Sequence, residues 1–466
     1  MDPLRRTARR LPEVLAVVGS SEGGRSSSSG WSFRELDRRA DLIAHALVGS
    51  GVMRGDRVAM CLPPCAEAVA VLHAVSRARA VLVPLNPAWT DFEVRRGLEA
   101  VGGATRVIDS LEQVVDWVGP DVRGEIGPDM EFGLPVPDEL VSVVLTSGST
   151  GLPRPVGITH RNLIASADRV IQRLALKTDD RWLTSLSPAH VGGMTLIHRA
   201  SVVACTLVTR PRFEASEVAS LVDKGEITHA SLVPVMLRRL LDERGNRKVP
   251  GSLRCLLVGG APVPPAILDR ALVMGYPISL TYGLTETTSQ VATATPTEVR
   301  GKPGTVGQPL SGLELRIEQA DAGGSGEILV RGPTVATPYL DNDGWLHTGD
   351  IGHMDDEGDL WVTGRKSDRI VTGGVTLEPA EVEAVIVHHP KVREVAIVGR
   401  MDAEWGERLV AVVVPEDVSR PPTLPDLLEF ARSRLGPAKR PRELKIVPSL
   451  PRTANGKLDR HRLRYV

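Results

Sequence analysis

The chain has 466 residues, of which 42% are hydrophobic and 24% are charged, a composition typical of a globular protein of about three domains. Its 56 Lys and Arg residues balance 57 Asp and Glu residues, so the sequence lacks the basic excess that favours nucleic-acid binding. Four cysteines are too few for a disulfide framework, and no apolar run of about 18 residues predicts a membrane span.

The N-terminal third alternates predicted helices and strands. Ser32 and Glu35 have the spacing of a capping box, and apolar residues recur at helical spacing up to Leu47. The elements predicted next are Arg57–Leu62, Ala66–Ala78, Val81–Leu85, Asp91–Ala100 and Arg106–Asp109. Strands are also predicted at Thr228–Val233, Cys255–Val258 and Ile278–Thr281. Such alternation indicates βαβ units, a mostly parallel sheet and the α/β fold class.

The composition changes near residue 365, where a Gly- and Asp-rich segment ends. A short α+β pattern follows, with predicted elements at Pro379–His389, Glu394–Val398, Leu409–Val414, Leu424–Leu435 and Leu444–Val447. About 100 residues are enough for a small domain with its own core. We therefore predict a large domain over residues 1–366 and a smaller domain over residues 367–466.

The clearest chemical signal is a turn directly after the predicted strand Val141–Leu145. The turn consists of Thr146, Ser147, Gly148, Ser149, Thr150 and Gly151. Glycines let backbone N–H groups close around an anion, hydroxyls add donors, and the following Arg154 adds positive charge. The segment lacks the GxxxxGK[ST] pattern of a Walker A loop. A flexible polar turn is the alternative, but the preceding strand and the following cation favour a loop that binds a polyphosphate.

Three further segments carry groups suited to a nucleotide. After the strand Ile278–Thr281, Thr285 can bond a phosphate oxygen and Glu286 offers the hard oxygen that Mg²⁺ prefers. Gly259, Gly260 and Ala261 follow another strand and leave room for a flat ring. Asp350 can accept two ribose hydroxyls. Each segment alone is also compatible with an ordinary turn, and for Gly259-Gly260-Ala261 a turn that only reverses the chain is the commoner case.

Together these segments resemble the core motifs of the adenylate-forming superfamily of acyl-CoA synthetases, adenylation domains and luciferases. The matching segments are TSGSTGLPR, YGLTE, HTGD, GRKSDRI and PRTANGK, in that order. The resemblance covers nearly the whole chain. It implies a large N-terminal domain of two βα subdomains and a small β-barrel, and a mobile C-terminal α+β domain. It also implies ATP, Mg²⁺ and coenzyme A as the small molecules used.

The resemblance further implies a role for each matched residue. Thr146–Gly151 and Arg154 would hold the β- and γ-phosphates, although Arg154 and Pro155 stand where lysine and glycine are usual. Tyr282 would stack on adenine beside Gly259, Gly260 and Ala261. Thr285 would contact the α-phosphate, Glu286 would bind Mg²⁺, and Asp350 and Arg365 would hold the ribose. Lys457 would bridge the carboxylate and the α-phosphate, and Ser367 would be the hinge.

Two segments resemble the o-succinylbenzoate–CoA ligases of menaquinone and phylloquinone synthesis. Ser289 and Gln290 follow TETT, and Ser187–Gly193 matches a segment whose histidine, here His190, lies at the acyl pocket. Val375–Pro379 departs from the usual Asn-Ile-Tyr-Pro. We therefore expect an acid–CoA ligase that forms an acyl-AMP and then an acyl-CoA, with o-succinylbenzoate as the acid and His190, Ser289 and Gln290 in its pocket.

Other functions stay open at this point. An acyl-CoA synthetase for another aryl or fatty acid would carry the same core motifs, and Arg154-Pro155 prompts the alternative of a non-catalytic nucleotide-binding relative. A luciferase-like oxygenase is a third option. No carrier-like segment follows Lys457, which disfavours a peptide-synthetase module. Absent targeting signals and the need for ATP and coenzyme A predict a cytoplasmic location, while the oligomeric state is undetermined, with a homodimer as one option.

Overall fold

The computed structural model describes residues 2–19, 30–118, 136–147, 153–320, 324–372, 375–377, 379–402, 406–453 and 458–466. Its helices are α1 Pro3–Arg10, α2 Phe33–Gly49, α3 Ala66–Arg77, α4 Asp91–Ala100, α5 Leu111–Val118, α6 His160–Arg173, α7 Val191–Val203, α8 Ala215–Asp223, α9 Pro234–Arg244, α10 Pro265–Val273, α11 Pro296–Gly301, α12 Pro379–Ile386, α13 Leu424–Ala431 and α14 Arg460–Leu463. No helix among these residues is both long and apolar enough to cross a membrane.

The strands are β1 Leu15–Val18, β2 Trp31–Ser32, β3 Arg57–Met60, β4 Val81–Pro84, β5 Arg106–Ile108, β6 Leu140–Ser147, β7 Pro153–Thr159, β8 Arg181–Thr184, β9 Thr206–Thr209, β10 His229–Leu232, β11 Cys255–Val258, β12 Ile278–Leu284, β13 Ser289–Thr293, β14 Glu314–Glu318, β15 Gly326–Arg331, β16 Leu346–Met354, β17 Leu360–Arg365, β18 Ile370–Thr372, β19 Val375–Leu377, β20 Val392–Asp402, β21 Gly406–Pro415 and β22 Glu443–Ile446.

Two sheets flanked by helices form the larger part of the molecule. One has the strand order β13-β12-β11-β10-β8-β9-β1-β2, and the other has the order β5-β3-β4-β6-β7. The strands from β12 to β1 in the first sheet, and from β5 to β6 in the second, pair in parallel. The α/β fold class is thereby confirmed.

Local sequence signals account for the entry into α2. The hydroxyl of Ser32 accepts a hydrogen bond from the Glu35 amide at 3.3 Å, and the Glu35 carboxylate accepts one from the Ser32 amide at 2.7 Å. This reciprocal pair satisfies two amides that a helix start otherwise leaves unbonded. The apolar face that follows, including Phe33 and Leu36, is buried against the sheets.

A four-stranded antiparallel sheet, β14-β15-β16-β17, occupies the place where the family resemblance implies a small barrel. After it, β19-β18-β21-β20 form another sheet, and β22 pairs with β21. Helices α12 and α13 pack on this last sheet around a core of its own. The division at residues 366 and 367 remains a prediction.

Several predicted elements have different bounds in the structure. The predicted helix Pro379–His389 ends at Ile386, in keeping with Pro390, which disfavours helical backbone at the residue before it. Strand β12 continues through Leu284, so Tyr282 and Gly283 lie in a strand rather than in a turn. Strands β20 and β21 are longer than predicted because they pair along their whole length, including polar positions such as Arg400 and Arg408.

Candidate active site

The ends of the predicted phosphate loop lie on two neighbouring antiparallel strands. Thr146 pairs with Arg154 and Ser147 pairs with Pro153 in the register of β6 and β7. The Thr146 hydroxyl also donates to the Arg154 carbonyl at 3.2 Å. The predicted loop residues Gly148, Ser149, Thr150 and Gly151 lie outside the described residues. The strands therefore fix where the loop starts and where Arg154 follows it.

Arg154 points toward two groups from other parts of the chain. Its guanidinium carbon lies 4.5 Å from the centre of the Tyr339 ring, and Nη1 lies 4.0 Å from Oε1 of Glu286. The Tyr339 hydroxyl donates to the Pro155 carbonyl at 2.6 Å. A cation over an aromatic face is attracted by the ring's negative face. The structure thus brings two predicted residues, Arg154 and Glu286, close together.

Thr285 and Glu286 lie in a single 3-10 turn between β12 and β13. The Glu286 carbonyl accepts a hydrogen bond from the Ala336 amide at 2.8 Å, and its side chain is 17% exposed. Thr288 and Ser289 then have φ values of 52° and 87°, in a region that residues with a Cβ rarely occupy. Such strained backbone is common at functional sites, and no sequence pattern predicted it here.

The two strands that flank this turn approach each other so closely that only glycine fits at position 283. A Cβ at this position would lie 1.7 Å from the Ser289 carbonyl oxygen. Gly283 also pairs with Gln290 across the strands. The glycine therefore sets the spacing between the predicted adenine residue, Tyr282, and the predicted acyl-pocket residue, Gln290.

The predicted nucleoside residues meet at one carboxylate. The Tyr282 hydroxyl donates to Oδ2 of Asp350 at 2.8 Å, and Nε of Arg365 lies 3.0 Å from Oδ1 of the same residue. Burial, together with the negative charge of Asp350, raises the pKa of Tyr282 well above its usual value. Tyr282 therefore stays a neutral hydrogen-bond donor.

Gly259 lies beside the same strand. A Cβ there would come within 2.6 Å of the Thr281 side chain, and Thr281 directly precedes Tyr282. The segment Gly259-Gly260-Ala261 follows the end of β11, which pairs with β12. The structure thus brings this predicted ring-binding segment next to the tyrosine.

Gln290 is buried and holds an arginine that the sequence did not predict. Its Oε1 accepts from Nη2 of Arg199 at 2.9 Å, and its Nε2 donates to the Thr293 hydroxyl at 2.8 Å. Arg199 lies on α7 and is 2% exposed. No carboxylate of the described part of the chain pairs with it, and its Nε has no hydrogen-bond partner there. Burial lowers the pKa of Arg199 to about 10, so it remains a cation.

His190 stands at the start of the same helix. It occupies the N-cap position of α7 and is half-buried. Nine residues along a helix rise by about 13 Å, so α7 runs from the predicted acyl-pocket histidine to the buried Arg199. The signal available in the sequence was a charged residue within the apolar helical run VGGMTLIHRASVV.

The predicted hinge, Ser367, lies in a 3-10 turn, Lys366–Asp368. Of the two residues beside it, Lys366 contacts a residue earlier in the sequence and Asp368 contacts a residue later in the sequence. Nζ of Lys366 lies 3.0 Å from Oε2 of Glu327, and Oδ2 of Asp368 lies 3.2 Å from Nε of Arg460. Lys457 lies outside the described residues.

Tyr282 and Arg365 meet at the Asp350 carboxylate, and Glu286 lies beside Arg154, as expected from the resemblance to the adenylate-forming class of enzymes. In agreement, the AMP-binding enzyme family matches residues 4–340, and the AMP-binding enzyme C-terminal domain family matches residues 381–457. The chain belongs to the AMP-binding enzyme family, which confirms the family resemblance.

Two relatives are particularly similar. The 2-succinylbenzoate–CoA ligase of Bacillus cereus is 34% identical over 459 residues, which cover 93% of each chain. The o-succinylbenzoate CoA synthetase of Bacillus subtilis, in complex with its acyl-adenylate intermediate, superposes with a TM-score of 0.87 at 31% identity, over 99% of this chain and 98% of that chain. Its complex with ATP and magnesium also gives 0.87. A double mutant of that synthetase bound to a product analogue gives 0.71 at 31% identity, over 100% and 98% of the two chains.

Proposed function

We infer that the chain is an AMP-forming acid–CoA ligase that converts o-succinylbenzoate into o-succinylbenzoyl-CoA, a step of menaquinone biosynthesis. The similar proteins from Bacillus cereus and Bacillus subtilis are a 2-succinylbenzoate–CoA ligase and an o-succinylbenzoate CoA synthetase. Within the structure, the observation that carries the inference is Arg199, a buried cation without a carboxylate partner in the described residues, hydrogen-bonded to Gln290 in the predicted acyl pocket. The reaction uses ATP, Mg²⁺ and coenzyme A, and we place it in the cytoplasm, where ATP and coenzyme A are supplied.

The first half-reaction gives the acyl carbon a better leaving group, because an acyl-AMP can lose AMP, whereas a free carboxylate would have to lose oxide. An oxygen of the aliphatic carboxylate attacks the α-phosphorus of ATP, the bond to the bridging oxygen breaks, and pyrophosphate leaves. This step needs little proton transfer, so catalysis consists of positioning and charge neutralisation. We propose that the loop Thr146–Gly151 and Arg154 hold the β- and γ-phosphates, that Thr285 contacts the α-phosphate, and that Lys457 bridges the two reacting groups.

We propose that the Glu286 carboxylate is a ligand of a magnesium ion that would enter the site bound to the phosphates of ATP. Mg²⁺ is usually held by one or two carboxylates together with substrate phosphates. The Glu286 carboxylate is largely buried, and its nearest ionic neighbour, Arg154, lies 4.0 Å away, so its oxygens are available for a metal. The ion would neutralise phosphate charge, while this chain's own task is to fix the turn that carries the carboxylate, through the hydrogen bond from the Ala336 amide to the Glu286 main-chain carbonyl.

We propose that Tyr282 and Asp350 bind the nucleoside. The Asp350 carboxylate faces Arg365 and receives the Tyr282 hydroxyl, which fixes its orientation before ATP arrives. A carboxylate oriented in this way can accept the ribose hydroxyls without rearranging. Tyr282 is 8% exposed and packs within an apolar cluster, and we propose that adenine stacks on the remaining exposed part of its ring beside Gly259-Gly260-Ala261.

The acyl end has the opposite electrostatics. o-Succinylbenzoate carries a second carboxylate, the benzoate, which must be held in a buried place. A buried unpaired cation is unfavourable, and an incoming anion can compensate it. We propose that Arg199 receives the benzoate, directly or through ordered water, and that Gln290 orients Arg199. His190 and Ser289 would complete the polar part of the pocket.

In the second half-reaction the thiolate of coenzyme A attacks the acyl carbon and AMP leaves. We propose that the small domain rotates about Ser367 between the two steps. The higher TM-score with the acyl-adenylate complex than with the product-analogue complex, at the same identity and similar coverage, supports an adenylate-forming arrangement in the structure described here.

One assay tests this function. Pyrophosphate release is measured with ATP, Mg²⁺ and o-succinylbenzoate, 4-phenylbutyrate or a medium-chain fatty acid, with and without coenzyme A. The proposed benzoate-binding cation predicts a strong preference for o-succinylbenzoate over 4-phenylbutyrate, which keeps the aliphatic carboxylate but lacks the aryl carboxylate and the ketone. Comparable kcat/KM values for these acids would reject o-succinylbenzoate as the specific substrate and leave a general acyl-CoA ligase.

A further inference from the structure

Glu394 contacts two arginines that come from different parts of the fold. The residue lies on β20 in the C-terminal sheet. Its Oε2 accepts from Nη2 of Arg452 at 2.7 Å, and its Oε1 lies 3.4 Å from Nη2 of Arg238. Arg238 lies on α9, beside the eight-stranded sheet of the larger part of the molecule. One carboxylate therefore links the two parts of the chain.

Arg452 is also attached to the segment that carries Lys457. Arg452 and Leu458 form an antiparallel bridge, and the Asp459 amide donates to the Pro451 carbonyl at 2.9 Å. Leu458 directly follows Lys457 in the sequence and packs beside the buried Leu450 against β20 and β21. Glu394 thus holds the base of the segment that carries the proposed adenylation lysine.

We propose that Glu394 is a positioning residue for the adenylation step: through Arg238 it docks the C-terminal sheet on α9, and through Arg452 it sets the base of the Lys457 segment. The proposal rests on the proposed function, because it assigns Lys457 to the first half-reaction. It adds two residues, Arg238 and Glu394, that no motif of the sequence singled out.

The geometry makes the contact specific to one step. The Arg238–Glu394 contact joins two parts of the chain that separate if the small domain rotates, so it can act only in the arrangement seen here. The side chains are partly exposed, 32% for Arg238 and 21% for Glu394. Water and salt therefore weaken the contact, and we expect a moderate effect on rate rather than its abolition.

The test separates the two half-reactions. Acyl-AMP formation from o-succinylbenzoate and ATP is compared with o-succinylbenzoyl-CoA formation from supplied acyl-AMP and coenzyme A, in the full chain. Arg238→Ala should slow the first reaction roughly 3- to 5-fold and Glu394→Ala roughly 5- to 10-fold, because the second variant loses both contacts. Neither variant should slow the second reaction. Lys457→Ala provides the reference for loss of adenylation.

A double variant shows whether the two residues act through the same contact. If they do, adding Arg238→Ala to Glu394→Ala should slow acyl-AMP formation no further, because the contact is already lost. Arg239→Ala, on an exposed position of the same helix, is the matched control and should leave both reactions unchanged. Multiplying effects, or equal slowing of both half-reactions, would overturn the proposal. Lack of acyl-AMP formation by the unmodified chain would instead reject the proposed function.

Discussion

The two ends of the candidate active site balance their charges in different ways. At the nucleoside end, Asp350 is paired with Arg365 and with the Tyr282 hydroxyl inside the protein. At the acyl end, Arg199 is buried on α7 with a neutral amide, Gln290, as its hydrogen-bond partner and no carboxylate among the described side chains. The carboxylate at the nucleoside end is paired with a cation within the protein, whereas the cation at the acyl end has no carboxylate partner in the described part of the chain. We therefore propose that it binds an anionic group of the substrate.

We expect this difference to correspond to a difference in role. The nucleoside end would act in the same way on every acid substrate, whereas the acyl end would select one acid. The role we propose for the preoriented Asp350 carboxylate is to bind ATP, whichever acid is activated. A buried cation without a carboxylate partner costs folding free energy. The Trp182 ring, whose centre lies 5.5 Å from the Arg199 guanidinium carbon, offsets part of this cost, and an anionic substrate would offset more. The selectivity of the enzyme is therefore expected to reside at the acyl end, and variants at the two ends should affect different substrates.

Removing the cation at the acyl end should have the largest effect. We expect Arg199→Met to lower kcat/KM for o-succinylbenzoate by roughly 100- to 1000-fold, as when a buried charge partner is lost. The KM for ATP should stay nearly unchanged. Steady-state kinetics with each substrate varied in turn would measure both values.

The same variant contains its own control. 4-Phenylbutyrate has no benzoate, so its kcat/KM should change little in Arg199→Met. The free variant should be about as stable as the unmodified protein, since removing a buried charge without a carboxylate partner offsets the lost bond to Gln290 and the lost contact with the Trp182 ring, and a thermal melt without ligand would measure this. A large drop in melting temperature, with equal losses for both acids, would show that Arg199 supports the fold and does not bind the substrate.

The next largest effect is expected at the nucleoside end. Asp350→Asn removes the charge that faces Arg365 and one of the two acceptor oxygens proposed for the ribose hydroxyls. We expect the KM for ATP to rise by roughly 10- to 100-fold, in line with the loss of charge-assisted hydrogen bonds. The KM for o-succinylbenzoate should change little. If it rose as much as the KM for ATP, the two ends would not be independent.

The sequence predicts a nucleoside end because its residues lie in ordered motifs at strand ends. The structure joins two of these residues, Tyr282 and Asp350, by a hydrogen bond across 68 positions of sequence, and their role toward ATP stays a prediction. Arg199 could not be identified so, because its significance depends on how α7 packs against β13, 91 positions away. The positive φ values of Thr288 and Ser289 could not be predicted from the sequence either, since residues with a Cβ rarely adopt them.

Gln290→Ala should have a smaller effect than Arg199→Met, because it removes the residue that orients the cation and leaves the cation in place. We expect the KM for o-succinylbenzoate to rise by roughly 5- to 20-fold, with the KM for ATP unchanged. In the background of Arg199→Met, the same change should have almost no further effect. Independent, multiplying losses would mean that Gln290 binds the substrate by itself.

The smallest effect is expected for Tyr282→Phe, which keeps the aromatic ring and removes only the hydroxyl that holds Asp350. A neutral hydrogen bond contributes about 1 kcal/mol, so the KM for ATP should rise by roughly 3- to 5-fold. In contrast, Tyr282→Ala should raise it much further, because stacking on adenine is lost as well. If Tyr282→Phe and Tyr282→Ala were equally impaired, the hydroxyl alone would account for the residue. Orientation of Asp350, rather than stacking, would then be the main contribution of Tyr282 at the nucleoside end.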